Sequence, residues 1–462
     1  MSSNKLVWDI ELIKRYEGAG PRYTSYPTAV QFHELFSIDE YRQAARESVT
    51  KNTPLSLYFH LPFCTHVCYY CGCNKVITKD RSKALPYLEL LHREIEMQAE
   101  LFSTEQRVEQ LHWGGGTPTF LSIEQMQALM KKTRQHFNLV DETEGDFSIE
   151  IDPREADWAT MNALREMGFN RCSLGVQDLD PKVQKAVNRE QSEADTMAII
   201  DAARTLQFQS INIDLIYGLP FQSEASFMTT LERVIEIAPD RLSVFNYAHL
   251  PERFMPQRRI NAEDLPSSAE KLAIMQSTTE RLLDAGYVYI GMDHFARPDD
   301  ELAIAQESGA LHRNFQGYTT HAHCDLVGMG VSSISQVNGA YSQNHADIKM
   351  YMNRIENHQF AIKRGLVMNK DDFIRQAVIS QLICHFELDF AAVEQRWDIN
   401  FKNYFAAELD QLKPMAEDGL ITLDEQGIEV TGRGRLLIRN ICMQFDHYLG
   451  QESNKGRFSK VI

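Results

Sequence analysis

The chain has 462 residues with 43% hydrophobic content, enough to bury a large core, and this length predicts two or three domains. Its formal net charge of −17 at pH 7 argues against a nucleic-acid partner and requires a local basic pocket for any anionic substrate. No run of about 18 apolar residues occurs, so we expect no membrane span and predict a cytoplasmic, monomeric protein.

The segment before residue 50 is dense in glycine, proline and aromatic side chains between Gly18 and Pro27. This composition predicts an ordered loop. Two interpretations stay open. The segment is either a surface arm packed on the main domain or a flap over the active site, with Arg22 facing a substrate carboxylate.

From Leu55 the hydrophobic pattern alternates between strands and helices. The predicted strands are Leu55–His60, Val108–Trp113, Phe147–Ile151, Arg171–Gly175, Ser210–Ile216 and Arg241–Tyr247. The predicted helices between them are Ser82–Leu101, Ile123–Phe137, Trp158–Met167, Glu193–Leu206 and Glu224–Ile237. Six strands alternating with helices indicate an α/β fold with a parallel sheet and right-handed crossovers, which fits a partial (β/α)6 barrel.

Four of the eight cysteines lie within ten residues, directly after the first predicted strand. Disulfides are disfavoured in a cytosolic chain. A zinc site would need further ligands, which His60 and His66 could supply. The spacing C-x3-C-x2-C also suits an iron–sulfur cluster with three protein ligands. The remaining cysteines are scattered and are interpreted as core residues: Cys172, Cys324, Cys384 and Cys442.

Unusual side chains also follow the other strands, at the carboxyl ends where such barrels place their chemistry. Residues 114–116 are three glycines, whose bare backbone can approach and hydrogen-bond a ligand. Glu150 and Asp214 lie within apolar strands, where an unpaired carboxylate would be costly. For Glu150 the sequence leaves open an ion pair with Arg154 or Arg171 and contact with a cofactor; its neighbours favour the cofactor.

Beyond residue 290 the alternation stops, and residues 291–365 are predicted to close the barrel. The predicted C-terminal elements are helices Asp371–Cys384, Phe390–Trp397 and Phe401–Glu417, a hairpin of Leu420–Leu423 and Gly427–Thr431, and a helix Arg433–Tyr448. This order resembles a winged-helix module, and the acidic chain favours a lid or substrate-shaping role over DNA binding. The predicted domains are an N-terminal arm over the active site (1–50), a barrel (51–290), a closing segment (291–365) and a helical domain (366–462).

The cysteine spacing, with Tyr70 just before the last cysteine, resembles the radical S-adenosylmethionine superfamily. Further segments make nearly the whole chain similar to the oxygen-independent coproporphyrinogen III oxidase family. They are Gly20–Pro27, His112–Thr119, Glu150–Glu155, Asn212–Pro220, Phe245–Leu250, Gly291–Pro298 and Asn314–Thr320.

The resemblance implies a role for individual residues. It makes Cys64, Cys68 and Cys71 the ligands of one 4Fe-4S cluster, and Cys73 an additional cysteine that is a candidate catalytic residue. It implies two S-adenosylmethionine molecules per turnover, with Tyr70, Gly116 and Thr117 belonging to a second site. The residues that the resemblance places around the first S-adenosylmethionine molecule are Tyr58, Gly115, Glu150, Gln177, Arg189, Asp214, Ala248 and Ile334.

The reaction that the resemblance implies is an oxidative decarboxylation. A 5′-deoxyadenosyl radical removes a hydrogen from a propionate of coproporphyrinogen III, carbon dioxide leaves and a vinyl group remains. The family does this on rings A and B, giving protoporphyrinogen IX, with electrons from a low-potential donor. Because the substrate carries four carboxylates, Arg22, Arg297 and Arg313 are candidate substrate contacts.

Two other functions stay as alternatives. A haem chaperone of the same family shares the cluster motif and the glycine run. Cys73, the Arg22 segment and the run Asp152–Glu155 favour the oxidase. A non-catalytic scaffold organised by zinc would need four protein ligands, and it would show no iron–sulfur absorption.

Overall fold

The structure is a computed structural model that describes residues 6–449. The ends of the predicted N-terminal arm (1–5) and of the predicted C-terminal domain (450–462) lie outside the described residues. The chain divides into two compact units. We call His33–Tyr287 with His323–Val367 the barrel unit, and residues 6–32, Val288–Ala322 and 368–449 the helical unit.

The strands and helices are numbered in chain order. The strands are β1 Leu55–Leu61, β2 Phe63–Cys64, β3 Val76–Ile77, β4 Arg107–Gly115, β5 Asn138–Leu139, β6 Asp146–Ile151, β7 Arg171–Gln177, β8 Ser210–Tyr217, β9 Arg241–Asn246, β10 Val288–Gly291, β11 His294–Ala296, β12 His312–Asn314, β13 Gly317–Thr319, β14 Asp325–Met329, β15 Ile334–Val337, β16 Ala340–Asn344, β17 Ile362–Val367, β18 Glu387–Asp389, β19 Ile421–Leu423 and β20 Gly427–Val430. The helices are α1 Ile10–Arg15, α2 Ile38–Lys51, α3 Leu85–Ala99, α4 Ile123–His136, α5 Trp158–Glu166, α6 Pro181–Ala186, α7 Glu193–Thr205, α8 Glu224–Ile237, α9 Ser268–Asp284, α10 Glu301–Glu307, α11 Ile348–Glu356, α12 Lys370–His385, α13 Phe390–Trp397, α14 Phe401–Tyr404, α15 Ala406–Glu417 and α16 Ile438–Met443.

The barrel unit is built on one sheet in which the six predicted strands lie side by side. Their order is β1, β4, β6, β7, β8, β9, and every neighbouring pair is parallel. The predicted α/β alternation and the six strands are confirmed, with bounds within two residues of those expected. Because the strands are parallel, their carboxyl ends lie along a single edge.

The helices between these strands follow from capping residues and an apolar stripe. Ser122 forms a capping box with Gln125 at the start of α4, which buries Met126 and Leu129. Helix α3 begins at Leu85, three residues after the predicted start, because residues 81–84 form a 3-10 turn. Among residues 6–449, none of the helices combines the length and apolar character that a membrane span needs.

The sheet continues past β1 on its other side. Strand β14 pairs in parallel with β1, and β15, β16 and β17 follow in antiparallel order. These strands come from the segment expected to close the barrel. The alternation of strands and helices did not reveal them because no helical repeat links them to the preceding strands.

The helical unit contains the hairpins β10–β11 and β12–β13, the helices α1, α10 and α12 to α16, and the small sheet β18–β20–β19. The predicted helix Phe401–Glu417 is interrupted at Phe405, between α14 and α15. The predicted helix Arg433–Tyr448 was too long. A 3-10 turn over Arg435–Leu437 precedes α16, which ends at Met443. The three predicted boundaries between the four domains stay predictions.

Candidate active site

The four clustered cysteines lie on the segment after β1 in the barrel unit. Cys64 ends β2, and Cys68, Cys71 and Cys73 follow it. A hydrogen bond from Cys73 is the main cause of the lowered pKa of Cys71, about 6. Burial raises the pKa of Cys64 to about 11, and the charges of Cys71 and Cys68 add to this effect. Three thiols therefore share one neighbourhood, as ligands of an iron–sulfur cluster must.

The glycine run at the end of β4 packs directly against the segment that leads to Cys64. The backbone N–H of Thr117 donates to the carbonyl of Phe63 at 2.8 Å, and the Thr117 hydroxyl lies 3.6 Å from Cys64 Sγ. A Cβ atom on Gly116 would lie 2.7 Å from the backbone of Pro62 and Phe63. Glycine is therefore required here because two backbone segments are in contact.

Glu150, on β6, is held by two donors. Its Oε2 accepts the N–H of Gly115 at 3.0 Å, and its Oε1 lies 3.5 Å from Nε2 of His112. Burial raises the pKa of Glu150, but the hydrogen bonds and charge of His112 and the Gly115 N–H outweigh burial and lower it. Within the described chain the ion pair with Arg154 or Arg171 does not form, because each arginine pairs with another carboxylate.

Tyr58, on β1, belongs to the same polar group. Nε2 of His60 lies 2.9 Å from the carbonyl of Asn74, so Nε2 carries the proton and Nδ1 accepts from the Tyr58 hydroxyl at 3.1 Å. The Tyr58 ring stacks on His112 with centroids 5.8 Å apart. These contacts fix the rings of Tyr58 and His112 beside Glu150.

A buried ion network surrounds Cys68. The carboxylate of Asp152 accepts from Arg154 at 2.7 and 3.0 Å and from Arg189 at 2.9 Å. Burial raises the pKa of Asp152, but Arg189 and Arg154 together lower it to about 2. Nη1 of Arg189 lies 3.5 Å from Cys68 Sγ, and Nη2 of Arg154 lies 3.9 Å from it. Two guanidinium groups therefore lie within hydrogen-bonding distance of the Cys68 sulfur.

Two buried acceptors, at the ends of the strands on either side of β8, have no hydrogen-bond partner among the described residues. Gln177 ends β7 with φ of +68°, and its Oε1 is buried. Asn246 ends β9, and its Oδ1 is also buried. Buried polar atoms are normally paired, so both acceptors are suited to donors on a ligand.

The remaining residues predicted around the cofactor occupy varied positions. Tyr70 packs against a buried apolar cluster formed by Val183, Val187, Leu219, Tyr247 and Ile260. Ala248 is exposed just beyond β9, and Ile334 begins β15. Their contacts with a cofactor stay predictions. The three thiols, the glycine contact and the two unpaired acceptors fit the cluster and the S-adenosylmethionine that the resemblance implies.

Asp214, on β8, lies along the same sheet. Its carboxylate accepts from the Ser173 hydroxyl at 2.9 Å and from Nδ2 of Asn212 at 2.8 Å. Burial raises its pKa to about 6, and repulsion from Glu150 adds to the rise. Ionising Asp214 therefore costs more free energy in the folded protein than in the unfolded chain.

We expect Asp214→Asn to raise the free energy of unfolding at pH 7 by up to about 3 kcal/mol, because asparagine cannot ionise and so avoids the cost of the raised pKa. An acid whose pKa is raised in the folded state stabilises the fold below its unfolded pKa. That stabilisation is lost as the pH rises through about 6. The gain in stability from asparagine should therefore shrink as the pH falls from 7 toward 4.

Urea unfolding at several pH values measures this gain. Asp284→Asn, at an exposed position at the end of α9, is the control. A gain independent of pH would contradict the assignment.

The three candidate substrate arginines lie in the helical unit. Arg22 and Asp293 are 3.5 Å apart, and Arg313 is buried with its guanidinium 4.6 Å from the centre of the Tyr318 ring. Arg297 instead hydrogen-bonds Asp299 and is 46% exposed. Asp293, which is half-buried and acted on by three arginine charges, was not predicted as a site residue, although it lies within a segment that carried the resemblance.

Comparison with known proteins agrees with this arrangement. Residues 58–234 match the Radical SAM superfamily, and residues 368–437 match the HemN C-terminal domain. The chain is 62% identical to the oxygen-independent coproporphyrinogen III oxidase of Pseudomonas aeruginosa, over 98% of this chain and 99% of the relative. It is 52% identical to that of Escherichia coli over the full length of both, and 40% identical to that of Helicobacter pylori over 98% and 99%.

A solved structure has the same fold. The coproporphyrinogen III oxidase (HemN) of Escherichia coli, described as a Radical SAM enzyme, matches with a TM-score of 0.92 at 52% identity. The match covers 96% of this chain and 100% of that chain. The predicted radical S-adenosylmethionine fold is confirmed, whereas the winged-helix resemblance stays a prediction.

Proposed function

The chain belongs to the oxygen-independent coproporphyrinogen III oxidase family, and from this premise we propose which residues carry out the reaction. The protein is a radical S-adenosylmethionine enzyme of haem biosynthesis that decarboxylates coproporphyrinogen III oxidatively without oxygen. The observation that supports our assignment of residues is the meeting of three thiols, the glycine run and two buried arginines at one edge of the parallel sheet.

Cys64, Cys68 and Cys71 are the proposed ligands of the 4Fe-4S cluster. The residues proposed to hold S-adenosylmethionine are Tyr58, Gly115, Glu150, Gln177, Arg189, Asp214, Ala248 and Ile334. When bound, these groups supply a 5′-deoxyadenosyl radical that takes a hydrogen from the β-carbon of a propionate. The propionate then loses carbon dioxide, one electron passes to an acceptor, and a vinyl group remains.

The side chains around the cysteines have distinct tasks in this proposal. Glu150, kept ionised by His112 and the Gly115 N–H, is an anionic acceptor for the ammonium group of the cofactor. Arg154 and Arg189 balance the negative charge of Cys68. The unpaired oxygens of Gln177 and Asn246 accept hydrogen bonds from donors on the ligand.

Cys73 is an exposed neighbour of the cluster segment. We propose that it is not a ligand and that its thiol positions Cys71 through their hydrogen bond. A second S-adenosylmethionine, with Tyr70, Gly116 and Thr117 as contacts, also belongs to the proposal. So do a low-potential electron donor and a cytoplasmic, monomeric state.

The test is an anaerobic turnover experiment. Protein with a reconstituted cluster is mixed with a strong reductant, S-adenosylmethionine and coproporphyrinogen III, and the porphyrins are oxidised and analysed by mass. We expect each porphyrin to lose two carboxyl groups while 5′-deoxyadenosine forms. If 5′-deoxyadenosine forms but the porphyrinogen is unchanged, the radical chemistry stands and the substrate assignment is wrong, which leaves the haem chaperone or another substrate.

A further inference from the structure

Three guanidinium groups surround one carboxylate within the helical unit. Asp293 is 3.5 Å from Arg22, and the charges of Arg22, Arg313 and Arg439 all act on it. Burial raises the pKa of Asp293, and the three arginines oppose that rise. Three guanidinium groups acting on one carboxylate make the surroundings of Asp293 predominantly positive, which favours an anionic ligand.

Arg439, at the start of α16, fixes the position of this cluster. It is 4% exposed, and its Nε donates to the carbonyl of Pro21 at 2.9 Å, while Nη2 donates to the carbonyl of Gly20. These two carbonyls belong to the residues directly before Arg22. Burial is the main cause of the lowered pKa of Arg439, about 10, and repulsion from Arg22 contributes. The helix therefore holds the glycine–proline segment so that Arg22 reaches Asp293.

Arg313 supplies the observation that points to a ligand. It is 8% exposed, and its Nε and Nη1 atoms are buried without a hydrogen-bond partner among residues 6–449. Stacking on Tyr318 satisfies the face of the guanidinium group but not its N–H donors. Guanidinium donors form a planar fork that matches a carboxylate. Arg313 is therefore ready to bind an anion.

The backbone next to the cluster is strained. Met292 and Asp293 form the turn between β10 and β11 with φ of +45° and +74°, and Tyr23, next to Arg22, has φ of +46°. Non-glycine residues rarely adopt these values, which cost on the order of 1 kcal/mol each or more. The fold accepts this strain at the two segments that bring Asp293 and Arg22 together.

We propose that Arg22, Arg313 and Arg439 form a binding site for one propionate carboxylate of the porphyrinogen, with Asp293 as the internal counter-ion that the propionate displaces. This inference rests on the proposed function, and it goes beyond it by naming the substrate group and its contacts. Arg439 and Asp293 are new members of the site, which the sequence analysis did not predict. Arg297, directed to Asp299, is left out of the site.

The carboxylate bound here is one that the turnover keeps. A reacting propionate loses its negative charge as carbon dioxide and an electron. Arginines that stabilise that charge in the ground state would oppose its loss in the transition state. A retained propionate has the same charge before and after the step, so its binding energy orients the ring without slowing the chemistry.

The test compares binding and turnover in three variants. Arg22→Gln and Arg313→Gln should raise the KM for coproporphyrinogen III roughly tenfold to hundredfold, the usual effect of losing hydrogen bonds to a charged group, and change kcat much less. Both should weaken binding of coproporphyrin III, followed by fluorescence. Asp293→Asn should instead tighten this binding, because it removes the carboxylate that competes for the same arginines.

Arg433→Gln is the matched control, since Arg433 is a half-exposed arginine of the same unit. It should leave KM within about twofold of wild type. If Arg313→Gln fails to fold, as thermal unfolding would show, Arg22→Gln and Arg313→Lys provide the test. Unchanged KM in the arginine variants, or weaker binding of coproporphyrin III in Asp293→Asn, would overturn the proposed propionate site. Turnover by the wild-type protein would still support the proposed function in that case. Absence of vinyl product from wild type would instead reject the function.

Discussion

Alanine at Cys64, Cys68 or Cys71 is expected to abolish both cluster assembly and turnover, whereas alanine at Cys73 should leave the cluster in place. A cluster held by only three protein ligands has no spare thiolate to replace a missing one. Cys73 lies two residues from Cys71 and contacts it, so its replacement removes a hydrogen bond and no ligand. Iron and sulfide content after anaerobic reconstitution, with the visible absorption of the cluster, measures the difference.

Cys68→Ala should have a further effect on the fold. Arg154 and Arg189 both lie within 4 Å of its sulfur, so alanine at this position removes a hydrogen-bond acceptor from two guanidinium groups. A buried donor that loses its acceptor is destabilising. We expect the cluster-free Cys68→Ala protein to unfold at a lower urea concentration than cluster-free Cys71→Ala, in which no arginine loses its partner.

The appropriate control is Cys172→Ala, because Cys172 is a buried core cysteine on β7. It should lower stability by about 1 kcal/mol through lost packing, yet bind full iron. Full iron loading in the Cys64, Cys68 and Cys71 variants would contradict the ligand assignment. Loss of iron in Cys73→Ala would make Cys73 a fourth ligand.

The parallel sheet could be predicted from the sequence because its strands are short apolar runs separated by helices, and helices α4 to α8 each begin at a capping side chain. Helix α8 has the bounds expected, since Ser223 marks its start and an apolar stripe through Phe227 and Leu231 continues to Ile237. Strand β14 was not recognised because its neighbour in the sheet, β1, is about 270 residues earlier in the chain. Local periodicity contains no information about such a pairing.

The site was predictable where its residues are close in sequence. The cysteine spacing and the glycine run are local patterns, and both now lie at the ends of neighbouring strands β1 and β4. The contact of Arg189 with Cys68 and the contact of Arg439 with Pro21 join residues far apart in the chain. Only the folded structure brings these arginines to their partners, so the sequence could not identify what they contact.

Gly116→Ala is expected to reduce cleavage of S-adenosylmethionine about a hundredfold while the protein still folds. The added Cβ would lie 2.7 Å from backbone atoms of Pro62 and Phe63, closer than such contacts ever occur, so one segment must move. The segment that moves leads to Cys64 or carries Thr117, which lie 3.6 Å apart. A displacement of about 1 Å at a reacting site commonly costs about two orders of magnitude in rate. Formation of 5′-deoxyadenosine under reducing conditions measures it.

Gly286→Ala separates a steric effect at the site from the general cost of replacing a glycine. Gly286 has φ of +90° and no heavy atom within 4 Å of its added Cβ, so alanine there brings backbone strain without a clash. We expect a loss of about 1 kcal/mol in stability and nearly normal cleavage. Gly116 has no positive φ, so alanine there brings a clash without backbone strain. We therefore expect Gly116→Ala to lose much more cleavage of S-adenosylmethionine than its change in thermal stability can explain. Equal losses of cleavage in the two variants would mean that the contact between the glycine run and the cysteine segment has no part in holding the cofactor.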